Sequence, residues 1–245
     1  MARDGDILFS VITPSTGNRP KALQKAIDSV EQAARFAGLE TGQLEILIGF
    51  DGVKGRCPHS AYPVRAINLP ADRDGVNGIR SLLTNIAQGV KLIYLDDDNT
   101  IKPHVFRLYL RHFEAELVIG RIDTQLALDT PHIPRLGMDS FLRPNNIDPL
   151  CICVSRRLVI DRCGGWRYRG RGDADFMNIL DWHANAHSET ILEDVVGVFD
   201  AGRSLDSSAL STRQASLLDR LAGDRGYPGY LQGSPTAGLL SAKPA

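Results

Sequence analysis

The stretch LIYLDDDN, residues Leu92–Asn99, joins four apolar residues to three consecutive aspartates, Asp96–Asp98. The apolar part has the length and composition of a strand that is buried on both faces, as strands of parallel sheets are. Side chains alternate along an extended segment, so Asp96 and Asp98 can face the same way while Asp97 points elsewhere. The stretch predicts a buried strand with paired carboxylates at its carboxyl end.

Similar apolar segments lie on the N-terminal side of this stretch. They predict three further strands, at Ile7–Thr13, Leu44–Phe50 and Val64–Leu69. Helical spacing of apolar residues predicts three helices between and after these strands. The first has Asn18 as its N-cap and carries Leu23, Ile27, Val30 and Ala34 on one face. The second carries Ile79, Leu82, Leu83 and Ile86, and the third begins at Pro103. This alternation indicates an α/β fold with a mostly parallel sheet flanked by helices.

The second half of the chain is less regular. Strands are predicted at Leu117–Ile122, Leu150–Val154 and Val195–Phe199, and a helix is predicted to start near Asp173. In parallel sheets, ligands bind beyond the carboxyl ends of the strands. Asp51 and Asp96–Asp98 both follow predicted strands, so two acidic positions are expected to meet at that edge.

Composition limits the classes of function. The chain has 245 residues, 43% of them apolar, and a formal net charge of −1, which gives no sign of nucleic-acid or membrane binding. No apolar run approaches the roughly 18 residues of a membrane span, and the N-terminus lacks the pattern of a signal peptide. The four cysteines fit no paired metal spacing and are interpreted as buried, reduced thiols of a cytoplasmic protein.

Carboxylates at a strand end suit Mg²⁺ or Mn²⁺, which prefer oxygen ligands and complete their shell with phosphates and water. The alternative is a solvated acidic turn that caps the helix opened by Pro103. The position of Asp96–Asp98 directly after a buried strand favours the metal site.

Six arginines lie between Arg156 and Arg171, interleaved with Trp166 and Tyr168. They can recognise phosphate groups or form a solvated basic face, and the aromatic rings can stack on sugars or belong to the core. Asp173 and Asp175 follow at the start of a predicted helix. A carboxylate there can serve as a general base or can stabilise the helix dipole.

Four segments, in order, resemble family 2 glycosyltransferases of the GT-A fold. They are SVITPSTGNRP (Ser10–Pro20), IGFDG (Ile48–Gly52), GVNGIRSLLTNIAQGVKLIYLDDDN (Gly75–Asn99) and CGGWRYRGRGDADF (Cys163–Phe176). The resemblance covers roughly residues 7 to 200. It implies a single GT-A domain over residues 1–205, with a nucleotide-binding half to about residue 100 and a smaller mixed-sheet acceptor region over 101–205. Residues 206–245 are predicted to form a C-terminal helix and a flexible tail.

The resemblance also implies roles for individual residues. The predicted nucleotide site consists of Pro14, Thr16, Asp51, Arg80, Asp96 and Asp97. Asp98, with Asp96, would bind the Mn²⁺ or Mg²⁺ that bridges the donor diphosphate. Asp173 would be the catalytic base of a single inverting displacement, and Trp166 and Asp175 would contact the acceptor.

The implied enzyme is a metal-dependent hexosyltransferase that uses a nucleotide-diphosphate sugar, with UDP as the expected nucleotide. Its acceptor would be a hydroxyl group of a glycan or glycolipid in polysaccharide biosynthesis. The enzyme would be cytoplasmic and could associate peripherally with the inner face of the membrane. The sequence departs from the family pattern at Phe50, Gly172 and Asp200. Phe50 replaces one member of an acidic pair, Gly172 replaces a common glutamate, and Asp200 lies where a histidine often supplies a further metal ligand.

Two other interpretations remain. The first is a catalytically silent relative that binds a nucleotide or a glycan, which the departure at Gly172 favours. The second is a sugar-phosphate nucleotidyltransferase. Such enzymes open with a Gly-rich loop and a basic residue, whereas the first turn here, Pro14–Asn18, contains a single glycine.

Overall fold

A nine-stranded sheet organises the part of the chain that the computed structural model describes, residues 6–71, 74, 76–128, 130–137 and 141–206. Its strands are β1 (Phe9–Ser15), β2 (Leu44–Asp51), β3 (Val64–Leu69), β4 (Lys91–Tyr94), β5 (Thr100–Ile101), β6 (Leu117–Asp123), β7 (His132–Ile133), β8 (Ile152–Ser155) and β9 (Glu189–Val198). The helices are α1 (Pro20–Ala37), α2 (Val76–Ile86), α3 (Val105–Arg111) and α4 (Ala174–Asn185). Short helical turns cover Thr41–Gln43, Pro149–Cys151, Leu158–Arg162 and Arg203–Leu205.

The strand order is β3-β2-β1-β4-β8-β6-β9-β5, with β7 paired to β6. Strands β3, β2, β1 and β4 run parallel to one another. Strand β8 is antiparallel to both β4 and β6, while β6 and β9 are parallel. The predicted fold is confirmed: a mostly parallel sheet in the first half continues into a mixed sheet in the second.

Helix α1 packs as its pattern predicts, because Leu23, Ile27, Val30 and Ala34 are all buried. Its start differs from the prediction. The N-cap residue is Arg19 rather than Asn18, and no side chain at that position caps the helix. The carboxylate of Asp206 does so instead, accepting hydrogen bonds from the N–H groups of Lys21 (3.0 Å) and Ala22 (2.8 Å).

Some other expectations need correction. Leu82 was predicted to lie on the buried face of α2 but is exposed. Cys57 is also exposed, whereas Cys151, Cys153 and Cys163 are buried, and all four are free thiols. The last strand, β9, begins six residues before its predicted start at Val195, because three of its first six residues are acidic and only Leu192 among the six is buried.

The predicted C-terminal helix and tail fall almost wholly outside the described residues, which end at Asp206. Within the described ranges, no helix combines the length and apolar character needed to cross a bilayer.

Candidate active site at the carboxyl edge of the sheet

The acidic turn Asp96–Asp98 follows β4 after one residue, Leu95, whose N–H donates to the carbonyl of Ile12 in β1. The turn is therefore held at the carboxyl edge of the parallel strands, as predicted. Asp97 and Asp98 are only 1% and 5% exposed, whereas the side chain of Asp96 is 30% exposed. Buried carboxylates require partners, so the surroundings of this turn decide what it can do.

Arg19, just before α1, supplies the positive charge for two of these carboxylates. Its guanidinium forms ion pairs with Asp97, at 2.6 Å, and with Asp98. Ser15, the last residue of β1, donates its hydroxyl to the other oxygen of Asp97 at 2.6 Å. Burial nevertheless raises the pKa of Asp97 to about 6, against the opposing effects of Ser15 and Arg19.

Arg80, on α2, joins Asp96 to the acceptor half of the chain. Its two terminal nitrogens contact Asp96 at 2.6 Å and Asp175 at 2.8 Å. The side chain is buried, and its guanidinium carbon lies 5.1 Å from the ring centroid of Trp166. Burial lowers the pKa of Arg80, but the attraction of Asp96 and Asp175 outweighs it, so Arg80 stays charged. The predicted residues Arg80, Asp96 and Asp175 therefore form one connected group.

Asp148 is a member of this neighbourhood that the sequence did not single out. Its carboxylate accepts the N–H of Leu150 at 2.8 Å and so caps the short helix Pro149–Cys151. Burial and the nearby charge of Asp96 raise the pKa of Asp148 to about 7, while the Leu150 N–H and Arg80 lower it. The only local sequence signal is an aspartate before a proline, which indicates a helix start and no more.

Trp166 belongs to the core, with 1% of its surface exposed. It packs against Tyr94 and Trp182, with ring centroids 5.0 and 5.6 Å away, and its Nε1–H donates to Asn77 at 3.2 Å. A ring without an exposed face cannot stack on a sugar. The core interpretation of Trp166 is therefore the correct one, and its predicted contact with the acceptor is wrong in this conformation.

Asp173 lies immediately before α4, as expected, but its carboxylate faces Arg171. Both oxygens are bound by that guanidinium, one of them at 2.7 Å. Arg171 lowers the pKa of Asp173, and the pair lies at the surface. By contrast, burial and the proximity of Asp96 raise the pKa of Asp175, against the opposing effect of Arg80. The two candidate carboxylates of this segment are about equally exposed, 37% for Asp173 and 40% for Asp175, and differ in their partners. Asp175 contacts the acidic site through Arg80, whereas Asp173 pairs with Arg171.

The remaining predicted donor residues lie at the same edge of the sheet. Asp51 ends β2, and Thr16 is exposed in the turn after β1, where its hydroxyl donates to Asn18 at 2.6 Å. Pro14 is buried within β1, opposite Gly49 of β2. Its ring is therefore part of the sheet, and only its neighbours Ser15 and Thr16 reach the edge.

The segment around Asp200 packs against the far side of the acidic turn. The N–H of Asp200 donates to the side chain of Asn99, and the N–H of Gly202 donates to the carbonyl of Asp98, both at 2.8 Å. Asp200 is buried and has a φ of 59°, a conformation that few residues other than glycine, asparagine and aspartate adopt. The position at which a further metal ligand was expected is therefore next to Asp98.

The arginines between Arg156 and Arg171 do not form a free basic face. Four of them make ion pairs: Arg162 with Glu116, Arg167 with Asp181, Arg169 with Asp74, and Arg171 with Asp173. Arg156 donates to the carbonyl of Ala87. Partners within the chain thus occupy five of these six arginines, which does not favour the phosphate-recognition hypothesis.

The oxygen donors of Asp96 and Asp98 fit a Mg²⁺ or Mn²⁺ ion in chemistry. Within the described residues, no group of three or more His, Cys, Asp or Glu side chains is arranged to hold a metal by itself. Arg19 already neutralises Asp98 and Arg80 neutralises Asp96. A divalent ion would have to draw these carboxylates away from the arginines and take further ligands from elsewhere.

No protein-family profile matches the chain, and no curated protein matches it in sequence. Solved structures do resemble it. TarS of S. aureus, residues 1–349, superposes with a TM-score of 0.63 at 14% identity over 81% of this chain. The same fragment solved with UDP-GlcNAc gives a TM-score of 0.58 at 14% identity over 89% of this chain and 66% of its own length.

A third structure is the mannosyltransferase PcManGT from Pyrobaculum calidifontis in complex with GDP-Man and Mn²⁺. Its TM-score is 0.58 at 12% identity, covering 90% of this chain and 71% of that one. The present chain spans 61% of the length of the first TarS structure, less than two thirds. Identities this low establish the fold alone: the chain has the GT-A fold that these nucleotide-sugar-binding proteins share.

Proposed function

We propose that the chain is a glycosyltransferase that moves a sugar from a nucleotide-diphosphate sugar to a hydroxyl acceptor. The observation that carries the proposal is the chain of contacts Asp96–Arg80–Asp175 at the carboxyl edge of a GT-A sheet. It connects the expected donor site with the expected acceptor segment. Solved proteins of the same fold contain UDP-GlcNAc or GDP-Man, which supports the class of donor.

The donor would lie along the edge formed by β1, β2 and β4. Asp51 and Thr16 would contact the nucleoside, and Asp96 the ribose. Arg80 would fix the orientation of Asp96, because its buried guanidinium has little freedom to move. We expect UDP as the nucleotide.

A divalent ion would be held by Asp98 and Asp96. When bound, it would supply positive charge to stabilise the diphosphate as it leaves. The Mn²⁺ in the PcManGT structure supports this assignment. The buried Asp97, which Ser15 and Arg19 hold in place, would keep the turn in position without contacting the ion.

For the transfer itself we propose a single inverting displacement with Asp173 as base. The acceptor oxygen forms a bond to the anomeric carbon and loses its proton to Asp173, while the bond from that carbon to the diphosphate breaks. Arg171 must release Asp173 before this can happen. Asp175, held by Arg80, would position the guanidinium rather than accept the proton.

The acceptor would be a glycan or glycolipid hydroxyl of polysaccharide biosynthesis. The resemblance noted in the sequence is the support for this acceptor class. We place the reaction in the cytoplasm, at the inner face of the membrane, and the free thiols of the chain are compatible with a reducing compartment.

The test is a donor screen that follows nucleotide release, combined with thermal unfolding in the presence of nucleotides and Mn²⁺. We expect UDP or GDP to stabilise the protein only when Mn²⁺ is present. Asp98→Asn should remove that effect while the apo protein stays folded. A response confined to nucleoside triphosphates would contradict the proposal and favour a nucleotidyltransferase.

Paired variants identify the base. Asp173→Asn should lower kcat by about 10²-fold or more and leave nucleotide affinity unchanged, because general-base catalysis contributes at least that much. Asp175→Asn should weaken donor binding, because it frees Arg80. If Asp175→Asn alone abolishes transfer while donor binding is intact, Asp175 is the base.

A second candidate is a silent nucleotide-binding relative, which the closed Arg171–Asp173 pair and Gly172 favour. A Cβ at Gly172 would meet no atom within 4 Å, so Gly172→Glu restores the common family residue without a clash. If the wild-type protein binds UDP but hydrolyses no nucleotide sugar, and Gly172→Glu does, the silent function is the correct one.

A further inference from the structure

A cavity lies between β6, β7 and β9 and shares no residue with the acidic site. Its volume is about 570 Å³, within the range of pockets that bind small molecules. Arg121, His132 and Arg135 line it, with Glu193 at its exposed rim. Apart from Glu193, the charged and titratable side chains that line the cavity are basic.

The sheet is irregular at this cavity. The pairing of β6 with β9 shifts register on both sides of Arg121. Such irregularities redirect side chains and are common beside binding sites. Here the shift places Arg121 of β6 and Glu193 of β9 along the same cavity.

Arg121 forms no ion pair with a described residue, unlike Arg162, Arg167, Arg169 and Arg171. Its Nε–H is buried without a hydrogen-bond acceptor in the described structure. A buried donor without an acceptor is unfavourable and rare, and sites of this kind are commonly completed by a ligand or a water molecule.

Arg135 is held in place by its backbone. Its N–H donates to the side chain of Asn146 at 3.0 Å, and Asn146, itself buried, donates to the carbonyl of Phe141 at 2.7 Å. The Arg135 side chain is exposed and makes no ion pair with a described residue. The cavity thus combines a partly buried guanidinium, an exposed one on a fixed backbone, and an imidazole.

We propose that this cavity is a phosphate-binding site that takes the phosphate group of a small hydroxylated molecule. Guanidinium groups bind phosphate oxygens with paired, charge-assisted hydrogen bonds, and the Nε–H of Arg121 would gain the acceptor it lacks. Three basic side chains match the several oxygens of phosphate better than the two of a carboxylate. Glu193 at the rim would accept a hydrogen bond from a hydroxyl of the same molecule.

The experiment is a titration with inorganic phosphate, glycerol 3-phosphate and acetate, followed by the ¹⁵N resonances of the arginine Nε–H groups. We expect saturable binding of the phosphates with a shift of the Arg121 Nε–H signal, and much weaker binding of acetate. Tighter binding of glycerol 3-phosphate than of inorganic phosphate would identify an organic phosphate as the ligand, and the reverse would identify free phosphate.

Arg121→Gln and, at the rim, Arg135→Gln should each weaken phosphate binding by about tenfold, the loss expected for one charge-assisted contact. Arg35→Gln, an exposed arginine of α1, is the matched control and should leave the affinity unchanged. Asp98→Asn should also leave it unchanged, so that failure of the proposed transferase activity does not affect this test. No saturable binding, acetate affinity equal to that of phosphate, or equal losses in Arg35→Gln would overturn the proposal.

Discussion

Arg19 occupies the electrostatic position that the sequence assigns to a metal ion. One guanidinium contacts two consecutive buried aspartates, Asp97 and Asp98, and so relieves the repulsion between them. A divalent ion that binds Asp98 must therefore compete with a cation of the protein itself. Binding becomes favourable when the ion brings further negative ligands, such as the oxygens of a donor diphosphate.

Replacing Arg19 by glutamine should separate these effects. We expect Arg19→Gln to increase the affinity for Mn²⁺ in the absence of nucleotide several-fold, because the ion no longer competes with the guanidinium. The apo protein should lose about 1–3 kcal/mol of unfolding free energy, since two buried carboxylates lose their counter-charge. Mn²⁺ binding is measured from the EPR signal of the free ion, and stability from urea unfolding.

Arg35→Gln is the control for the Arg19 experiment, because it breaks only an exposed ion pair with Glu31. It should change stability by no more than about 0.5 kcal/mol and leave Mn²⁺ affinity as it is. An Arg19→Gln variant with unaltered Mn²⁺ affinity would show that Arg19 and the ion do not share Asp98.

At this scale the sequence predicts positions but not partners. That Asp51 and Asp96–Asp98 lie at the carboxyl ends of strands follows from local pattern, and the structure confirms it, with β1 between the two strands. The contacts Arg19–Asp98 and Arg80–Asp175 join residues 79 and 95 positions apart, which no local pattern encodes. Trp166 shows the same limit, because a tryptophan that packs in the core and one that stacks on a sugar have the same local sequence.

Among the elements, the start of α1 depends on a distant residue. The side chain of the N-cap residue, Arg19, does not cap the helix. Two N–H groups of the first turn, those of Lys21 and Ala22, donate instead to the carboxylate of Asp206. Asp206→Ala should therefore lower the unfolding free energy by about 1 kcal/mol, the usual value of a cap, and Asp206→Asn by less. Urea unfolding of both variants measures this. Equal stability of Asp206→Ala and wild type would mean that water replaces the cap at no cost.

Gly89 allows β4 to enter the sheet beside β1. A Cβ at Gly89 would lie 2.5 Å from the backbone nitrogen of Ser10 and 2.6 Å from the carbonyl carbon of Phe9. Backbone atoms in a central strand cannot move away as a flexible side chain would. We expect Gly89→Ala to destabilise the protein by about 1–3 kcal/mol, as overpacking does.

Gly42→Ala is the matched control, since a Cβ there would meet no atom within 4 Å. Thermal unfolding of the two variants should give a clear loss for Gly89→Ala and little change for Gly42→Ala. Similar melting temperatures for both would show that the contact of β4 with β1 is looser than its geometry indicates.

The elements that the sequence predicts well are those with a continuous apolar pattern. Strands β1, β2 and β4 and helices α1 and α2 fall in this class, because burial on one or both faces leaves a clear pattern. The first half of β9 does not, since its exposed residues carry no such signal. The capping of α1 by Asp206 was not predictable, because that aspartate is more than 180 positions away.

In the whole molecule, Arg80 connects the two halves of the sheet. It joins Asp96, which follows the parallel strand β4, to Asp175, on the helix between β8 and β9, with Asp148 nearby. Three carboxylates around one buried guanidinium leave excess negative charge. Part of that excess is relieved when Asp148 binds a proton, because its pKa is raised to about 7. The stability of the fold should therefore depend on pH through this group.

Asp148→Asn tests this dependence. In the unfolded chain an aspartate ionises near pH 4, whereas burial raises the pKa of Asp148 in the folded protein to about 7. Between these values the folded protein binds a proton that the unfolded chain has lost, so wild-type stability falls as pH rises, by at most about 1.4 kcal/mol per pH unit.

The Asp148→Asn variant has no such proton, and its asparagine can still cap Pro149–Cys151. The stability of Asp148→Asn relative to wild type should therefore increase from about pH 4 to 7 and be constant above that range. Urea unfolding at pH 5, 6, 7 and 8 measures the difference, with the exposed Asp194→Asn as control. A constant difference for Asp148→Asn would mean that Asp148 is ionised in the folded protein throughout this range.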